Sequence, residues 1–128
     1  MSKRIKLSAY SVAQLLVLNA KHYGDEKGRE TSRYRYTKQS LRSLSGWKRL
    51  SEPFIRDISD EMFGLGWTVI DLSDTEFAAI ETRKISVWPK LGMRRVTHLA
   101  RADDPEDAID DAYHDMFEDD TQADVDDD

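Results

Sequence analysis

At 128 residues, with no cysteine and a net charge of −6, the chain has room for one domain with an ordinary core, and a disulfide framework or a thiolate metal site is excluded. The charge is divided. Fourteen of the 25 acids lie in residues 103–128, which hold no Lys or Arg, and the other 11 face 19 bases in residues 1–102, a net of +8.

Residues 1–6 form a short basic arm. Lys3, Arg4 and Lys6 ahead of residues 7–18 loosely resemble the start of a signal peptide, but the longest unbroken apolar run is residues 15–18. That is shorter than the roughly 7–15 residues such a segment needs. The spacing of Val12, Leu15, Leu16 and Asn19, with Ala9, Ala13 and Ala20 beside them, predicts instead an amphipathic helix, capped by Ser8 and ended near Tyr23 by Gly24. No stretch approaches a membrane span, and a cytoplasmic location is expected. Residues 24–30 read as a polar, glycine-bearing loop.

Arg33-Tyr34-Arg35-Tyr36 alternates strictly and predicts a short strand. One reading turns the tyrosines inward and the arginines to water. The other is a basic and aromatic surface that grips phosphates and stacks bases. Thr37 is the predicted cap of a helix over 38–44, with Leu41 and Leu44 inward and Gly46 breaking it. Trp47 is either a core anchor or a lid over the following turn.

Ser51 is the cap of the next helix, Glu52 suits the positive end of its dipole, and Pro53 is tolerated in its first turn. Phe54, Ile58, Met62 and Leu65 recur at helical spacing until Gly64 and Gly66 stop the helix. The period then becomes two. Trp67, Val69 and Asp71 alternate with Thr68, Ile70 and Leu72, Ser73-Asp74-Thr75 supplies a turn, and residues 77–80 return as the partner strand. Helix, turn, helix and hairpin outline a winged helix. The expected fold class is therefore α+β: a winged helix-turn-helix body over residues 1–102 with a small β-hairpin wing, and a disordered or partly helical acidic C-terminal tail over 103–128. Leu15, Leu16, Leu41, Phe54, Ile58, Met62, Val69 and Ile80 are its expected core.

After the hairpin, residues 83–91 are expected to form a short helix with Ile85, Val87, Trp88 and Leu91 as its apolar residues, ended or bent by Pro89. Residues 92–96 read as a turn into a basic extended segment. In the tail, like charges resist packing. Residues 108–117 are the exception: Ile109, Ala112, Tyr113, Met116 and Phe117 fall at helical spacing, and Ile109, Tyr113, Met116 and Phe117 are the candidate partner-binding residues.

No catalytic constellation can be nominated. His22, His98 and His114 lie in different elements, and no metal-binding His or Cys pair is present. Gly64-Leu65-Gly66 is half a dinucleotide fingerprint and precedes a strand instead of following one. The tail lacks a calcium loop with its central Gly and terminal Glu. A non-enzymatic protein without metal or cofactor is expected.

A helix-turn-helix protein ordinarily offers its second helix to the major groove. Here that helix carries Glu52, Asp57, Asp60 and Glu61 against Arg56, and the hairpin tip carries Asp71, Asp74 and Glu76. Acids at those positions repel phosphate. The bases lie elsewhere, and Arg33, Arg35, Lys38, Arg42, Lys48 and Arg49 are the candidate nucleic-acid contacts. Further bases, Arg83, Lys84, Lys90, Arg94 and Arg95, follow the hairpin.

The succession Leu7-Ser8-Ala9-Tyr10, Lys21-His22-Tyr23-Gly24, Arg33-Tyr34-Arg35-Tyr36-Thr37, Leu44-Ser45-Gly46, Gly64-Leu65-Gly66-Trp67 and Trp88-Pro89-Lys90-Leu91-Gly92 resembles small uncharacterised proteins of bacterial phages and plasmids, some labelled as ribosomal-RNA biogenesis proteins. The resemblance covers roughly residues 5–96. It implies a mobile-element accessory protein in a bacterial cytoplasm with a winged-helix body, and it transfers no site residues. Two functions are expected to compete. One is a nucleic-acid-binding accessory or regulatory protein whose acidic tail modulates binding as an internal competitor. The other is a protein-binding antagonist or adaptor of the phage counter-defence type, its partner a host or phage protein, whose acidic surface imitates nucleic acid.

Overall fold

Three short polar residues set the starts of three helices. Ser8 Oγ accepts the Ser11 N–H at 3.2 Å and opens α1 (Ala9–Lys27). Thr37 Oγ1 accepts the Ser40 N–H at 3.0 Å and opens α2 (Lys38–Ser45). Ser51 Oγ accepts the Phe54 N–H at 3.2 Å and opens α3 (Glu52–Gly64). Each pairs an amide that the helix itself leaves without a partner. The computed structural model describes residues 5–126, with side chains as far as residue 118, so Lys3 and Arg4 of the expected basic arm lie outside the described residues.

The described residues form six helices and a three-stranded antiparallel sheet, an α+β architecture. The chain divides into two compact units, Met1–Trp88 and Pro89–Asp128. In the first, β1 (Arg33–Thr37) follows α1, and β2 (Trp67–Asp71) and β3 (Glu76–Glu81) follow α3. The sheet order is β1-β3-β2, with Arg33 opposite Ile80 on one side of β3 and Val69 opposite Ala79 on the other. A short helix, α4 (Thr82–Ile85), ends the unit.

One face of the sheet packs on the helices. Val12, Leu16, Leu41, Ile58 and Met62 meet Trp67, Phe77 and Ala79 in a single buried cluster, and Tyr34, Tyr36, Val69 and Phe54 pack against it. Strand alternation sends Arg33, Arg35, Thr68, Ile70, Ala78 and Ile80 to the opposite face. Ile80 is buried nonetheless, because the chain folds back there after β3. Thr82 Oγ1 lies 2.9 Å from Thr68 Oγ1, and Trp88 borders a cleft with Ile80.

Three local expectations are corrected. The first helix does not end at Gly24 but runs to Lys27, where Gly28 takes the left-handed conformation at φ 69°. Residues 24–27 are thus the last turn of α1 and not part of a loop. Residues 83–91 hold only the one-turn α4, and Val87, Trp88 and Leu91 are exposed. Residues 92–96, read as a turn into an extended segment, instead lead into a helix, α5 (Arg94–Ala100). In the second unit α5 packs against α6 (Pro105–Asp126), and that contact supplies the support that its own uncapped start lacks.

Candidate nucleic-acid and partner interfaces

The α2–α3 turn is tied to the N-terminal arm. The Leu7 N–H donates to the Ser45 carbonyl at 2.9 Å, and Trp47 Nε1 donates to the Leu7 carbonyl at 2.8 Å. Gly46 makes this approach possible. Its φ is 80°, and a Cβ there would stand 2.6 Å from the Ile5 carbonyl oxygen. Trp47 tilts against Phe54 with centroids 5.3 Å apart, and Lys6 Nζ sits 4.9 Å from the Trp47 ring centroid. Trp47 therefore anchors and covers the turn at once. Lys48 and Arg49 stand exposed beside it, so the turn joins Lys6 to two of the expected bases.

Arg33 and Arg35 lie on the outer face of β1, and Arg35 is paired with Glu76 at 3.1 Å. The tyrosines between them point inward. The Tyr34 hydroxyl donates to the Leu16 carbonyl at 2.5 Å, and Tyr36 stacks on Phe77 at 5.4 Å. Burial pushes the Tyr34 phenol up to about 12, an effect the Asn19 amide partly offsets. Burial also raises Tyr36, with Tyr34 and the Asp71 carboxylate adding to it. Neither ring is free to stack on a base. The inward reading of the alternation is the one the structure bears out.

Lys38 is separated from these arginines. Its N–H donates to the Thr75 carbonyl at 2.8 Å, and its side chain lines a groove between α3 and the β2–β3 hairpin. Arg42 is half-buried on α2 and its carbonyl accepts the Gly46 N–H at 3.1 Å. The six expected bases therefore do not form one patch. They divide among the outer sheet face, the groove, α2 and the turn.

A pair missed in the sequence lies on the outer sheet face. Trp88 is 55% exposed and lines a cleft of about 300 Å3 with Arg33, Lys84, Ser32 and Ile80. Trp88 was read as one apolar position of a helix, and nothing local in the sequence marks the return of this segment to β1. Arg83 beside it is committed to Glu30 and Glu81, which raise its pKa, the Glu81 hydrogen bond first.

The groove between α3 and the hairpin encloses about 640 Å3. Ile55, Val69, Leu72 and Phe77 provide its apolar wall, and Glu52, Asp71 and Asp74 face Lys38 and Arg56 around it. Asp57, Asp60 and Glu61 extend the acidic character along exposed α3. In the second unit, Ile109, Tyr113, Met116 and Phe117 are all exposed on α6. Tyr113 and Phe117 pack one turn apart with centroids at 4.5 Å. Among the described residues no cluster of His, Asp or Glu is arranged to hold a metal ion, and no helix is long and apolar enough to cross a membrane.

No protein-family model, curated protein or solved structure matches the chain.

Proposed function

We propose that Met1–Trp88 is a winged helix, and that the chain is a small non-enzymatic nucleic-acid-binding accessory or regulatory protein. Support for the winged helix comes from the order α1-β1-α2-α3-β2-β3, the adjacent α2 and α3 at the centre, and the hairpin that closes the sheet. The setting, a bacterial mobile element and its host cytoplasm, rests on the resemblance carried by residues 5–96.

The observation that carries nucleic-acid binding is the cleft on the outer sheet face. An exposed Trp88 between Arg33 and Lys84 offers a ring for a base and two cations for the flanking phosphates. Lys6, Lys48 and Arg49 supply a second group of cations at the turn. The α3 and hairpin surfaces are acidic and stay off the phosphates, so the contact differs from the usual insertion of the second helix. Fluorescence anisotropy of labelled oligothymidylate and of duplex DNA across salt tests this. Trp88→Ala should weaken single-strand binding by about 1–3 kcal/mol. Lys48→Glu with Arg49→Glu should flatten the duplex salt slope by about 0.9 for each lost phosphate contact. Absence of salt-sensitive binding to either ligand at low ionic strength removes the proposal.

The acidic α3 and hairpin surface favours a second reading, a protein-binding adaptor or antagonist that meets a basic host or phage protein. A stoichiometric protein partner retained from host lysate after nuclease treatment supports it.

A further inference from the structure

We infer that the Trp88 cleft takes a single nucleotide carrying a terminal phosphate, with the base on the Trp88 ring and the phosphate met by Arg33 and Lys84. The inference rests on the nucleic-acid reading above and names the ligand of that cleft, the phosphorylated end of a strand or a free mononucleotide.

The outer sheet face does not continue as a track. A surface that holds a run of unpaired bases supplies successive rings along a path of cations. Strand register gives this face Arg33, Arg35, Thr68, Ile70, Ala78 and Ile80, none of them aromatic. Tyr34, Tyr36, Trp67 and Phe77 are turned to the other side, in the core or packed against it. Trp88 is therefore the one ring among the residues that line the cleft. The cations beside it are also taken. Arg35, next along the face of β1, is held by Glu76 at 3.1 Å, and Arg83, next to Lys84, is held by Glu30 and Glu81. The cleft itself encloses about 300 Å3, the low end of the range of about 300–1,000 Å3 for small-molecule sites. One nucleotide suits that space, and a second base would find no ring.

Charge says which nucleotide fits. Arg33 and Lys84 make no ion pair among those the described residues form, and no acid is among the residues lining the cleft. Two uncompensated cations thus border one small site. A phosphodiester inside a strand brings a single negative charge to them. A terminal phosphate brings about −1.5 to −2 at pH 7 and three strong acceptor oxygens. A guanidinium fork and an ammonium suit such a group better than they suit a diester. Ile80, buried under the segment that follows β3, gives the cleft an apolar wall for the sugar and base.

The test uses the full chain and fluorescence anisotropy of a short oligothymidylate, labelled at an internal base, with phosphates at both ends or at neither. The terminal phosphates should tighten binding by about three- to tenfold at low salt. Arg33→Gln and Lys84→Gln should each shrink that preference, whereas Arg35→Gln, which alters a cation already paired, should leave it intact. The preference should fade below about pH 6, where the ester loses its second charge while Arg33 and Lys84 keep theirs. Trp88→Ala should weaken both strands. Thymidine monophosphate should displace the phosphorylated strand, and inorganic phosphate at the same concentration should not. Displacement at concentrations equal to the strand's own would make a free nucleotide the source of the ligand, and weaker displacement would make it a strand end. Salt-sensitive binding that is lost in Trp88→Ala but is indifferent to the terminal phosphates would keep the nucleic-acid reading and overturn this inference. Displacement by inorganic phosphate as strong as by the nucleotide would reduce the cleft to an anion site and overturn it too. No binding of either strand would remove both.

Discussion

Gly24→Ala should destabilise the first unit even though it introduces the better helix former. Gly24 lies within α1, and in a solvated helix the change would gain about 0.8–1.0 kcal/mol. Here the residue is buried, and the chain leaving α1 closes over it: the Gly24 carbonyl accepts the Arg29 N–H at 3.0 Å. A Cβ at Gly24 would stand 2.6 Å from the Arg29 carbonyl oxygen and 3.3 Å from the Thr31 nitrogen. Both are backbone atoms, so no rotamer change relieves the contact. Relief requires shifting residues 29–31, which lead directly into β1. Overpacking of this kind costs about 1–3 kcal/mol, which offsets the propensity gain and leaves a net loss of up to about 2 kcal/mol. Gly64 at the end of α3 is the control, since a Cβ there meets nothing within 4 Å. Urea unfolding followed by circular dichroism should place Gly24→Ala below the parent and Gly64→Ala at or above it. A Gly24→Ala variant as stable as Gly64→Ala would mean that residues 29–31 do not close over α1.

Alkaline stability should fall as pH rises from about 10, the ordinary tyrosine value, through about 12. Tyr34 binds its proton more tightly folded than unfolded, so its contribution is complete below that window, and Tyr34→Phe should reduce the slope of unfolding free energy against pH by up to one proton. Truncation after Trp88 leaves 15 bases against 11 acids, net +4 in place of −6, and should tighten binding to polyanions at low salt, with the difference closing as salt rises. Asp60→Asn with Glu61→Gln should stabilise thermal unfolding slightly, by about 0.3–1 kcal/mol for each charge removed from the negative end of α3, while weakening any basic ligand of that face.

What the sequence made legible was local. Ser8, Thr37 and Ser51 each act within three residues of themselves, and the change from period 3.6 to period 2 at Gly66 needs no knowledge of partners. The missed features depend on contacts across the chain. Gly24 looked like a helix stop because glycine is usual there, yet it serves to admit the backbone of residues 29–31. Val69 and Ile80 were both expected inside, but the pairing of Val69 with Ala79 puts Ile80 on the other face, where the segment after β3 covers it. Register of this kind is not written in either strand alone. Lys6 joins the turn through contacts distant in sequence: the Trp47–Leu7 hydrogen bond, 40 positions apart, the Leu7–Ser45 bond, and its own place over the Trp47 ring. Trp88 joins Arg33 only because the chain returns to β1.

The acidic residues of α3 are not explained by the stability of α3. Glu52 in the first turn faces the positive end of the helix dipole and is favourable there. Asp60 and Glu61 lie toward the opposite end, which disfavours negative charge, and no base in the last turn compensates them. Neither makes an ion pair among those the described residues form, whereas Glu30, Glu76 and Glu81 each pair with an arginine. Acids held where the helix opposes them leave α3 with an uncompensated charge that repels phosphate and, on the second reading proposed above, suits a basic partner. The bases that suit phosphate lie apart from it, around Trp88 and at the α2–α3 turn. On the two proposed readings the polyanion and the basic partner use different surfaces, so mutations in the two should affect binding independently.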